Sequence, residues 1–352
     1  MDEINANGQY YKDIDKICSS TAALGKLKGK TVFVSGASGQ IGSAVIDVML
    51  HADIDIKIIA AGRDERKMRL RFGEHFGSPF FSYMKYDAMS DKWDLPAADV
   101  YICGAGNSSP DMIASKPVET IIGNINGLRG ILEAARTSAG SRVLYISSSE
   151  VYGRAEFPDS IREDTYGTVD ISNPRSSYAE AKRMAESMAV SFGTEFGTDT
   201  VIARPGHMYG PTASAQDRHI SSTMGFDAAA GRDIVLKSDG SQKRSYLYIP
   251  DVASALITIL AEGKSGEAYN IADPSAEMTI RELAELFASN GNVRLRFDIP
   301  TADEKKAFNP MNNSCLNGAK LTALGWKALF SSETGVRHTV EILKKMADKI
   351  YS

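Results

Sequence analysis

The feature that most constrains the fold is a glycine-rich turn between a β-branched strand and an apolar helix. GASGQIG, residues 36–42, directly follows TVFVS, residues 31–35. Glycines three residues apart permit a tight turn whose backbone N–H groups approach a pyrophosphate at the positive end of the next helix. An ordinary strand–turn–helix is the alternative for this segment taken alone. The residues that we predict to bind a dinucleotide cofactor here are Gly36, Ser38, Gly39, Gln40, Ile41 and Gly42.

Strands and helices alternate after this turn. Continuously apolar segments recur at residues 56–61, 80–86, 99–104 and 142–147, and a long helical segment at 115–138 separates the last two. Strands that are buried on both faces are apolar throughout, and their alternation with helices is typical of a parallel sheet. We therefore predict an α/β protein with a Rossmann-type doubly wound parallel sheet.

The pattern loosens after about residue 205, where prolines and glycines mark a loop and shorter elements follow. We predict an N-terminal helical extension at 1–29 and a cofactor-binding domain at 30–205. A smaller C-terminal α/β substrate lobe is predicted at 206–352, with segments that cross back to the main domain. The apolar patch that predicts a helix packed on the outside of the main domain is Tyr11, Ile14 and Ile17.

The composition excludes several classes of protein. The net charge is -4, with 43% hydrophobic and 24% charged residues, so no basic surface typical of a nucleic-acid-binding protein is indicated. No apolar run approaches about 18 residues, and the acidic N-terminal segment has no hydrophobic signal core. Cys18, Cys103 and Cys315 show no spacing suited to a metal. We therefore expect a cytoplasmic enzyme with no metal, no membrane and no nucleic-acid partner.

A tyrosine and a lysine four residues apart share one face of a predicted helix. They are Tyr178 and Lys182 in PRSSYAEAKRMAE, residues 174–186. A phenol with a pKa of about 10 is a poor base at pH 7, and a neighbouring ammonium or a nicotinamide cation favours its phenolate. A surface helix pair is the alternative for this spacing alone. With the glycine turn upstream, the pair predicts that Tyr178 exchanges a proton while Lys182 lowers its pKa and holds the cofactor ribose.

The GxxGxxG turn and the YxxxK pair together resemble the short-chain dehydrogenase/reductase superfamily. The length and the C-terminal lobe resemble its extended branch, the NAD-dependent epimerase/dehydratase family, from about residue 30 onward. The resemblance implies NAD as cofactor and a nucleotide sugar as substrate. It also implies a homodimer formed through the long helix (LRGILEAAR) and the Tyr/Lys helix (AEAKRMAESMAVSF). The same apolar stripes would equally suit packing against the sheet.

The end of the second strand leaves the choice between NAD and NADP open. In the family that this chain resembles, an acid at that position binds the adenosine ribose and favours NAD. Here the segment reads AAGRDERK, in which Asp64 comes late and Arg63 stands where a 2′-phosphate would be met. Arg63 is therefore a predicted cofactor-binding residue, and NADP remains the alternative to NAD. Stacking on adenine or a solvent-facing position is the other interpretation of Arg63.

RVLYISSSEVYG, residues 142–153, occupies the place of the family's substrate strand. The resemblance implies that Ser148 hydrogen-bonds the C4 oxygen of the sugar and that the next two residues select the reaction. Glucose-type 4,6-dehydratases carry Asp at the place of Ser149, and galactose-type epimerases carry a small residue or Thr at the place of Glu150. UDP-glucuronate decarboxylases and GDP-mannose 4,6-dehydratases carry Thr-Ser-Glu, which this segment resembles. Ser148, Ser149 and Glu150 are therefore predicted catalytic residues.

Two more segments resemble the decarboxylases, EDTYGTVDISNPRSSYAEAKR and DGSQKRSYLYIPD. The second places Arg244 where a decarboxylase arginine faces the sugar carboxylate, and a guanidinium suits a carboxylate. A phosphate or surface contact is the alternative for Arg244. His207, in RPGHMYGP, stands where the decarboxylases carry Asn, so a substrate ligand and a packed loop histidine are both open. The predicted substrate-binding residues are Asn107, Ser108, Glu150, His207, Arg218 and Arg244.

The sequence thus predicts an enzyme that oxidises sugar C4 with bound NAD or NADP and then decarboxylates, as UDP-glucuronate decarboxylases do. The predicted catalytic groups are the three residues 148–150, Tyr178, Lys182 and Arg244. A nucleotide-sugar 4,6-dehydratase or 4-epimerase is the alternative within the same family. Outside this reaction class, the alternatives are an NADPH-dependent reductase and a non-catalytic NAD(P)-binding protein.

Overall fold

The computed structural model describes residues 8–154, 160–298 and 313–351. Residues 1–7 of the predicted extension, and residues 299–312 and 352 of the predicted lobe, lie outside the described residues. The strands in chain order are β1 Thr31–Ser35, β2 Lys57–Gly62, β3 Phe81–Lys85, β4 Val100–Cys103, β5 Arg142–Ile146, β6 Asp199–Pro205, β7 His207–Tyr209, β8 Ile234–Leu236, β9 Lys243–Tyr248, β10 Ala268–Ile271, β11 Glu277–Thr279, β12 Leu295–Phe297 and β13 Asn313–Ser314.

Helices connect most of these strands, and the longest of them follows β4. Short 3-10 helices at Ser149–Tyr152 and Pro174–Ser176 lie after β5 and before the helix that carries the predicted Tyr/Lys pair. The α-helices in chain order are α1 Gly8–Ser20, α2 Gln40–His51, α3 Glu65–Phe72, α4 Pro110–Ser115, α5 Pro117–Thr137, α6 Ser177–Phe196, α7 Ile220–Ala229, α8 Ile249–Glu262, α9 Ile280–Gly291, α10 Ala319–Thr322 and α11 Ser332–Tyr351.

Seven strands form one parallel sheet in the order β10-β6-β5-β4-β1-β2-β3. The chain runs outward from β1 to β3, returns to β4 beside β1, and then runs outward in the opposite direction. This reversal between β1 and β4 is the topological switch point of a doubly wound sheet, where ligands bind at the carboxyl ends of the strands. The predicted fold class is therefore confirmed.

Both faces of this sheet are buried because successive side chains of a strand point to opposite sides. Val32 and Val34 of β1 pack into one core cluster, which contains Val48 of α2 and Leu256 of α8. Phe33, between them, packs into a second cluster with side chains of α5 and α6. Covering both faces requires strands that are apolar throughout, which is the pattern seen in the sequence.

The C-terminal part builds a second, smaller layer and also completes the main sheet. β9 pairs with β7, β11 and β13, and β8 pairs with β12. β10 instead pairs with β6, and α8 packs against α2 on the main sheet. Residues 249–271 therefore cross back to the cofactor-binding part.

The N-terminal helix α1 packs into the main core more deeply than the sequence indicated. Tyr10, Ile14 and Ile17 are 1%, 1% and 0% exposed and belong to the same core cluster as β1. Tyr10 takes the inward position that the sequence pattern gave to Tyr11, because the helix begins at Gly8 and its buried face runs through residues 10, 14 and 17. α1 contacts α2, α8 and α11.

Three further properties of the described residues bear on function. No helix among them is both long and apolar enough to cross a lipid bilayer. Within the same ranges, no group of three or more His, Cys, Asp or Glu side chains is arranged to hold a metal ion. The three cysteines are free thiols.

Candidate active site

The predicted site segments follow the carboxyl ends of parallel strands. Gly36 follows β1, Arg63 follows β2, Ser148 lies two residues after β5, and His207 lies two residues after β6. Because these ends meet at one edge of a parallel sheet, the four segments line the same edge. The switch point between β1 and β4 lies within that edge, which is where doubly wound folds bind their ligands.

The glycine turn fits the pyrophosphate of a dinucleotide. Gly36 has a φ of +71°, and a Cβ added there would lie 2.7 Å from the carbonyl oxygen of Gly104. Gly39 caps α2 and offers no side-chain hydrogen bond to the helix end. The Nε2 group of Gln40 is buried and has no hydrogen-bond partner within the described ranges. The crowded turn, the open positive helix end and the unpaired donor together suit a bound phosphate.

The remaining residues predicted to bind the cofactor lie in the glycine turn, in the first turn of α2 and directly after β2. Ser38 is exposed in the turn, Ile41 is half-buried in the first turn of α2, and Gly42 is buried. Arg63 is exposed directly after β2. The carboxylate of Asp64 accepts the Lys67 backbone N–H at 3.1 Å and thereby caps α3. The carboxylate of Asp64 is therefore used to cap α3. Its position does not decide between NAD and NADP.

Tyr178 and Ser148 lie near each other at the carboxyl end of β5. Ser148 Oγ accepts the Glu150 backbone N–H at 3.2 Å. Burial raises the pKa of Tyr178, and the negative charge of Glu150 raises it further. The nearby Ser148 hydroxyl and the charge of Arg175 lower the pKa of Tyr178. A hydroxyl pair of this kind can hold a sugar oxygen and exchange its proton.

Lys182 lies on the same face of α6 as Tyr178. Its Nζ donates to the carbonyl oxygen of Ile146 at 2.8 Å and stands 5.8 Å from the centre of the Tyr178 ring. Burial lowers the pKa of Lys182 to about 8. Among the protein groups, Ser148 and Arg175, rather than Lys182, lower the pKa of Tyr178. The predicted effect of Lys182 on Tyr178 therefore stays a prediction for the cofactor-bound enzyme.

The carboxylate of Glu150 is paired, because Arg175 donates two hydrogen bonds to it. Arg175 Nη1 donates to Glu150 Oε2 at 2.9 Å, and Nη2 donates to Oε1 at 3.0 Å. Arg175 lies in the segment PRSSYAEAKRMAE but was not among the residues predicted for the site. The available sequence signal was a cationic side chain three residues before Tyr178, but no local sequence pattern pairs that side chain with Glu150. Ser149, between Ser148 and Glu150, is 8% exposed.

Arg244 and His207 form a second polar cluster, on the paired strands β9 and β7. Arg244 Nη1 lies 2.9 Å from His207 Nε2, and Arg244 Nη2 donates to Gln242 Oε1 at 2.9 Å. A guanidinium only donates, so His207 Nε2 accepts and its proton lies on Nδ1. Burial and the Arg244 charge lower the pKa of His207 well below its usual range. The buried His207 Nδ1 and Arg244 Nε have no partner in the described part of the chain, so both are donors suited to a ligand.

Two loops approach the site from β4 and from the segment before α7. Asn107 Nδ2 donates to Thr120 Oγ1 at 3.2 Å, and its Oδ1 accepts the Ser109 backbone N–H at 3.3 Å. The backbone of Ser108 lies near the His219 ring and contributes to raising its pKa. Arg218, largely exposed, stands 4.0 Å from a carboxylate oxygen of Asp111. The predicted residues Asn107, Ser108 and Arg218 thus lie on facing loops.

His219, in the same loops, was not predicted. Its Nδ1 lies 2.6 Å from Asp217 Oδ1, and Ser222 also donates to Asp217. Burial lowers the pKa of His219, but the hydrogen bond and charge of Asp217 outweigh it, so the net pKa is raised. The Asp-x-His spacing in DRHI was the available sequence signal.

Curated relatives of this chain are nucleotide-sugar enzymes. UDP-glucuronic acid decarboxylase 3 of Arabidopsis thaliana is 28% identical over 84% of this chain and 84% of its own length. A trifunctional UDP-glucose 4,6-dehydratase/UDP-4-keto-6-deoxy-D-glucose 3,5-epimerase/UDP-4-keto-L-rhamnose-reductase of the same plant is 27% identical over 89% of this chain. This chain spans about half (47%) of that relative's length.

A solved structure and a family pattern complete the comparison. The Bordetella bronchiseptica enzyme WbmF, solved with NAD+, matches with a TM-score of 0.74 and 21% identity over 93% of this chain and 96% of that one, which shows the fold. The pattern of the NAD dependent epimerase/dehydratase family matches residues 32–272, which is more than half of the chain. That range runs from β1 through β10 and includes the glycine turn, Tyr178 and Lys182. The predicted cofactor, NAD, is the one that the family uses. This chain therefore belongs to the NAD dependent epimerase/dehydratase family.

Proposed function

We propose that this enzyme modifies nucleotide sugars and that its reaction is decarboxylation of a nucleoside-diphosphate hexuronic acid such as UDP-glucuronate. The observation that carries the proposal is the cluster of Ser148, Glu150 and Tyr178 at the carboxyl end of β5, above the buried Lys182. The buried Arg244, with an unpaired Nε, adds a cation on the substrate side. The relatives named above support the reaction class.

In this proposal the residues of the chain transfer protons and hold the sugar, and Tyr178 returns its proton to the C4 oxygen when C4 is reduced. Tyr178 accepts the proton of the C4 hydroxyl, and Ser148 donates a hydrogen bond to the C4 oxygen. NAD, held by the glycine turn and Lys182, supplies the hydride acceptor and later the hydride donor for C4. Arg63, exposed directly after β2, would be the residue to meet the 2′ side of the adenosine ribose.

The C4 ketone makes the carboxylate at C6 that of a β-keto acid. The C5–C6 bond then breaks, CO2 leaves, and the electron pair passes into the enolate of the ketone, whose oxygen is stabilised by Ser148. Arg244 orients the carboxylate before this step, while Glu150 orients the ring and Ser149 assists protonation of C5 through water. After reprotonation at C5 and reduction at C4, the product is the pentose sugar nucleotide, with no net consumption of cofactor.

Incubation with UDP-glucuronate, with CO2 release and the nucleotide product followed together, tests the proposal. We expect one CO2 for each pentose nucleotide formed, and we expect Arg244→Ala to slow CO2 release more than C4 oxidation. Equal loss of both steps would remove the assigned role of Arg244. Turnover of a neutral hexose nucleotide without CO2 would favour the 4,6-dehydratase or 4-epimerase alternative. Net consumption of NADPH would favour a reductase, and dissociation constants for NAD+ and NADP+ decide the role of Arg63.

We also propose that the enzyme is a homodimer formed through α5 and α6. These two helices pack against each other and against the sheet, yet they leave large apolar side chains exposed. Val118 and Ile121 of α5 are 65% and 38% exposed, and Met184 and Val190 of α6 are 56% and 43% exposed. An apolar surface of this kind on two adjacent helices suits a twofold four-helix contact.

A further inference from the structure

Arg175 joins the two elements that supply the proton-transfer groups. It lies in the 3-10 helix Pro174–Ser176, directly before α6 and three residues before Tyr178. Glu150 lies in the 3-10 helix after β5, two residues beyond Ser148. The bidentate contact between Arg175 and Glu150, at 2.9 and 3.0 Å, therefore ties the start of α6 to the segment that carries Ser148. A planar fork of two parallel hydrogen bonds fixes orientation as well as distance.

The pair also balances charge beside the Tyr178 hydroxyl. Glu150 alone would place an uncompensated negative charge near a group that must become a phenolate, and this charge raises the pKa of Tyr178. The guanidinium of Arg175 lowers that pKa. Both side chains are partly buried, with 28% and 24% exposed, so water screens their charges incompletely. The other titratable groups near this cluster in the described part of the chain include Lys182 and Glu186 of α6, Tyr145 of β5, Cys103 of β4 and His219 before α7.

We propose that Arg175 is a positioning residue for the proton transfer by Tyr178. Its fork holds the Glu150 carboxylate in place and offsets part of the field that this carboxylate exerts on the Tyr178 hydroxyl. The inference rests on the proposed function only through the role of Tyr178 in oxidation of the sugar C4 hydroxyl, and it holds for any reaction that begins with that oxidation.

The test is the pH dependence of C4 oxidation in the holoenzyme, followed by the near-ultraviolet absorbance of the reduced cofactor. In Arg175→Gln we expect the acidic limb of the kcat profile to move up by about one pH unit and kcat at pH 7 to fall about 10-fold, with KM changed less than about 3-fold. Arg162→Gln is the matched control, since Arg162 makes the same two-bond contact with Asp164 on the exposed surface. It should leave both constants unchanged.

The double variant Arg175→Gln/Glu150→Gln tests whether Arg175 acts through Glu150. If it does, the upward shift caused by Arg175→Gln is smaller in the Glu150→Gln background than in the wild type, because only the direct charge of Arg175 on Tyr178 is then lost and no released carboxylate is left beside the hydroxyl. Arg175→Lys keeps the charge without the fork and should shift the limb by less than half as much, which provides a second measurement if the glutamine variant folds poorly. An unmoved limb in Arg175→Gln, a loss confined to KM, or a shift of the same size in the wild-type and Glu150→Gln backgrounds would overturn the proposal.

The choice of substrate separates this inference from the proposed decarboxylation. UDP-glucuronate and neutral sugar nucleotides are tested in parallel for cofactor reduction and CO2 release. Oxidation of a neutral sugar without CO2 release overturns the decarboxylation and leaves the Arg175 comparison intact on that sugar. If no sugar nucleotide in the panel reduces the cofactor, both proposals are overturned.

Discussion

At the scale of single residues, Lys182 carries an ammonium into surroundings that disfavour charge. Its side chain is 7% exposed, and burial lowers its pKa to about 8. Below that pH the folded and unfolded chains both bind the proton, so the cost of burying the charge is constant. Between about pH 8 and the ordinary lysine pKa of about 10.4, the unfolded chain binds more protons than the folded one. The stability contributed by this group therefore rises with pH over that window.

Replacing Lys182 with methionine should remove this dependence. Urea unfolding measures the free energy of unfolding of the cofactor-free wild type and of Lys182→Met at each pH. From about pH 8 to 10.4, we expect the wild-type value to rise by up to about 3 kcal/mol relative to that of Lys182→Met. The same variant should lose C4 oxidation by about 100-fold or more. Lys264→Met, at a side chain that is 81% exposed, is the control and should follow the wild-type curve. Parallel stability curves for wild type and Lys182→Met would contradict the assigned burial cost.

The sequence predicted some of these residues because their geometry is local. Tyr178 and Lys182 share a face of α6 wherever that helix lies, since a separation of four residues returns to the same side. The contact between Glu150 and Arg175 spans 25 residues and depends on how the intervening loop folds. The contact between Arg244 and His207 spans 37 residues and depends on the pairing of β9 with β7. No local pattern specifies either contact.

At the scale of secondary-structure elements, α1 is held to the body of the protein by a buried carboxylate. Asp13 is 2% exposed and accepts hydrogen bonds from Tyr248 at 2.8 Å and from Gln9 at 3.0 Å. The Nδ1 of His338 in α11 lies 3.0 Å from Asp13. One side chain thus connects α1 with β9 and α11, which lie far apart in the sequence. The apolar pattern of α1 predicted a helix, but this polar connection required the folded structure.

Asp13→Ala should destabilise the protein through this junction. It removes the acceptor of the buried Tyr248 hydroxyl, and an unsatisfied buried polar group costs about 2–3 kcal/mol. Asp15→Ala is a matched control on the same helix, because Asp15 is 66% exposed and meets His51 at the surface. It should cost less than about 1 kcal/mol. Urea unfolding followed by circular dichroism measures both, and equal losses in the two variants would show that Asp13 has no special role in attaching α1.

Elements with a strong period were predicted, whereas several of the shortest strands were not. The sequence specified the strands from β1 to β5 and the helices α2, α5 and α6, since continuous burial or an amphipathic face marks each of them. The three-residue strands β7, β8 and β11 carry too few residues to show any period. Their pairing depends on which strands the fold brings beside them, as β7 shows by joining β9.

At the scale of the whole molecule, exposed apolar area concentrates on one pair of helices. Among the large apolar side chains that are exposed in the described residues, half lie on α5 and α6. Isolated exposed apolar residues are ordinary, but a contiguous group on neighbouring helices marks an interaction surface. The same helices bury Leu128 and Ala185 against the sheet, so each has one face in the core and another that is exposed. A twofold contact between two such pairs would cover all four helices. The exposed residues of this surface are Val118, Ile121, Ile122, Met184, Val190 and Phe196.

Charges placed on this surface should convert a dimer into a monomer. We expect the wild type to have the mass of a dimer in light scattering after size exclusion at micromolar concentration. Ile121→Glu/Met184→Glu should have the mass of a monomer, because a stable contact cannot bury unpaired carboxylates. Val235→Glu is the control, since Val235 is 45% exposed on β8 outside this surface, and it should remain dimeric. The melting temperature of the Ile121→Glu/Met184→Glu variant should fall only by the amount that dimerisation contributes to stability. The melting temperature of this variant should also not depend on protein concentration. A wild type that is monomeric, or a helix variant that stays dimeric, would show that these apolar side chains do not form the subunit contact.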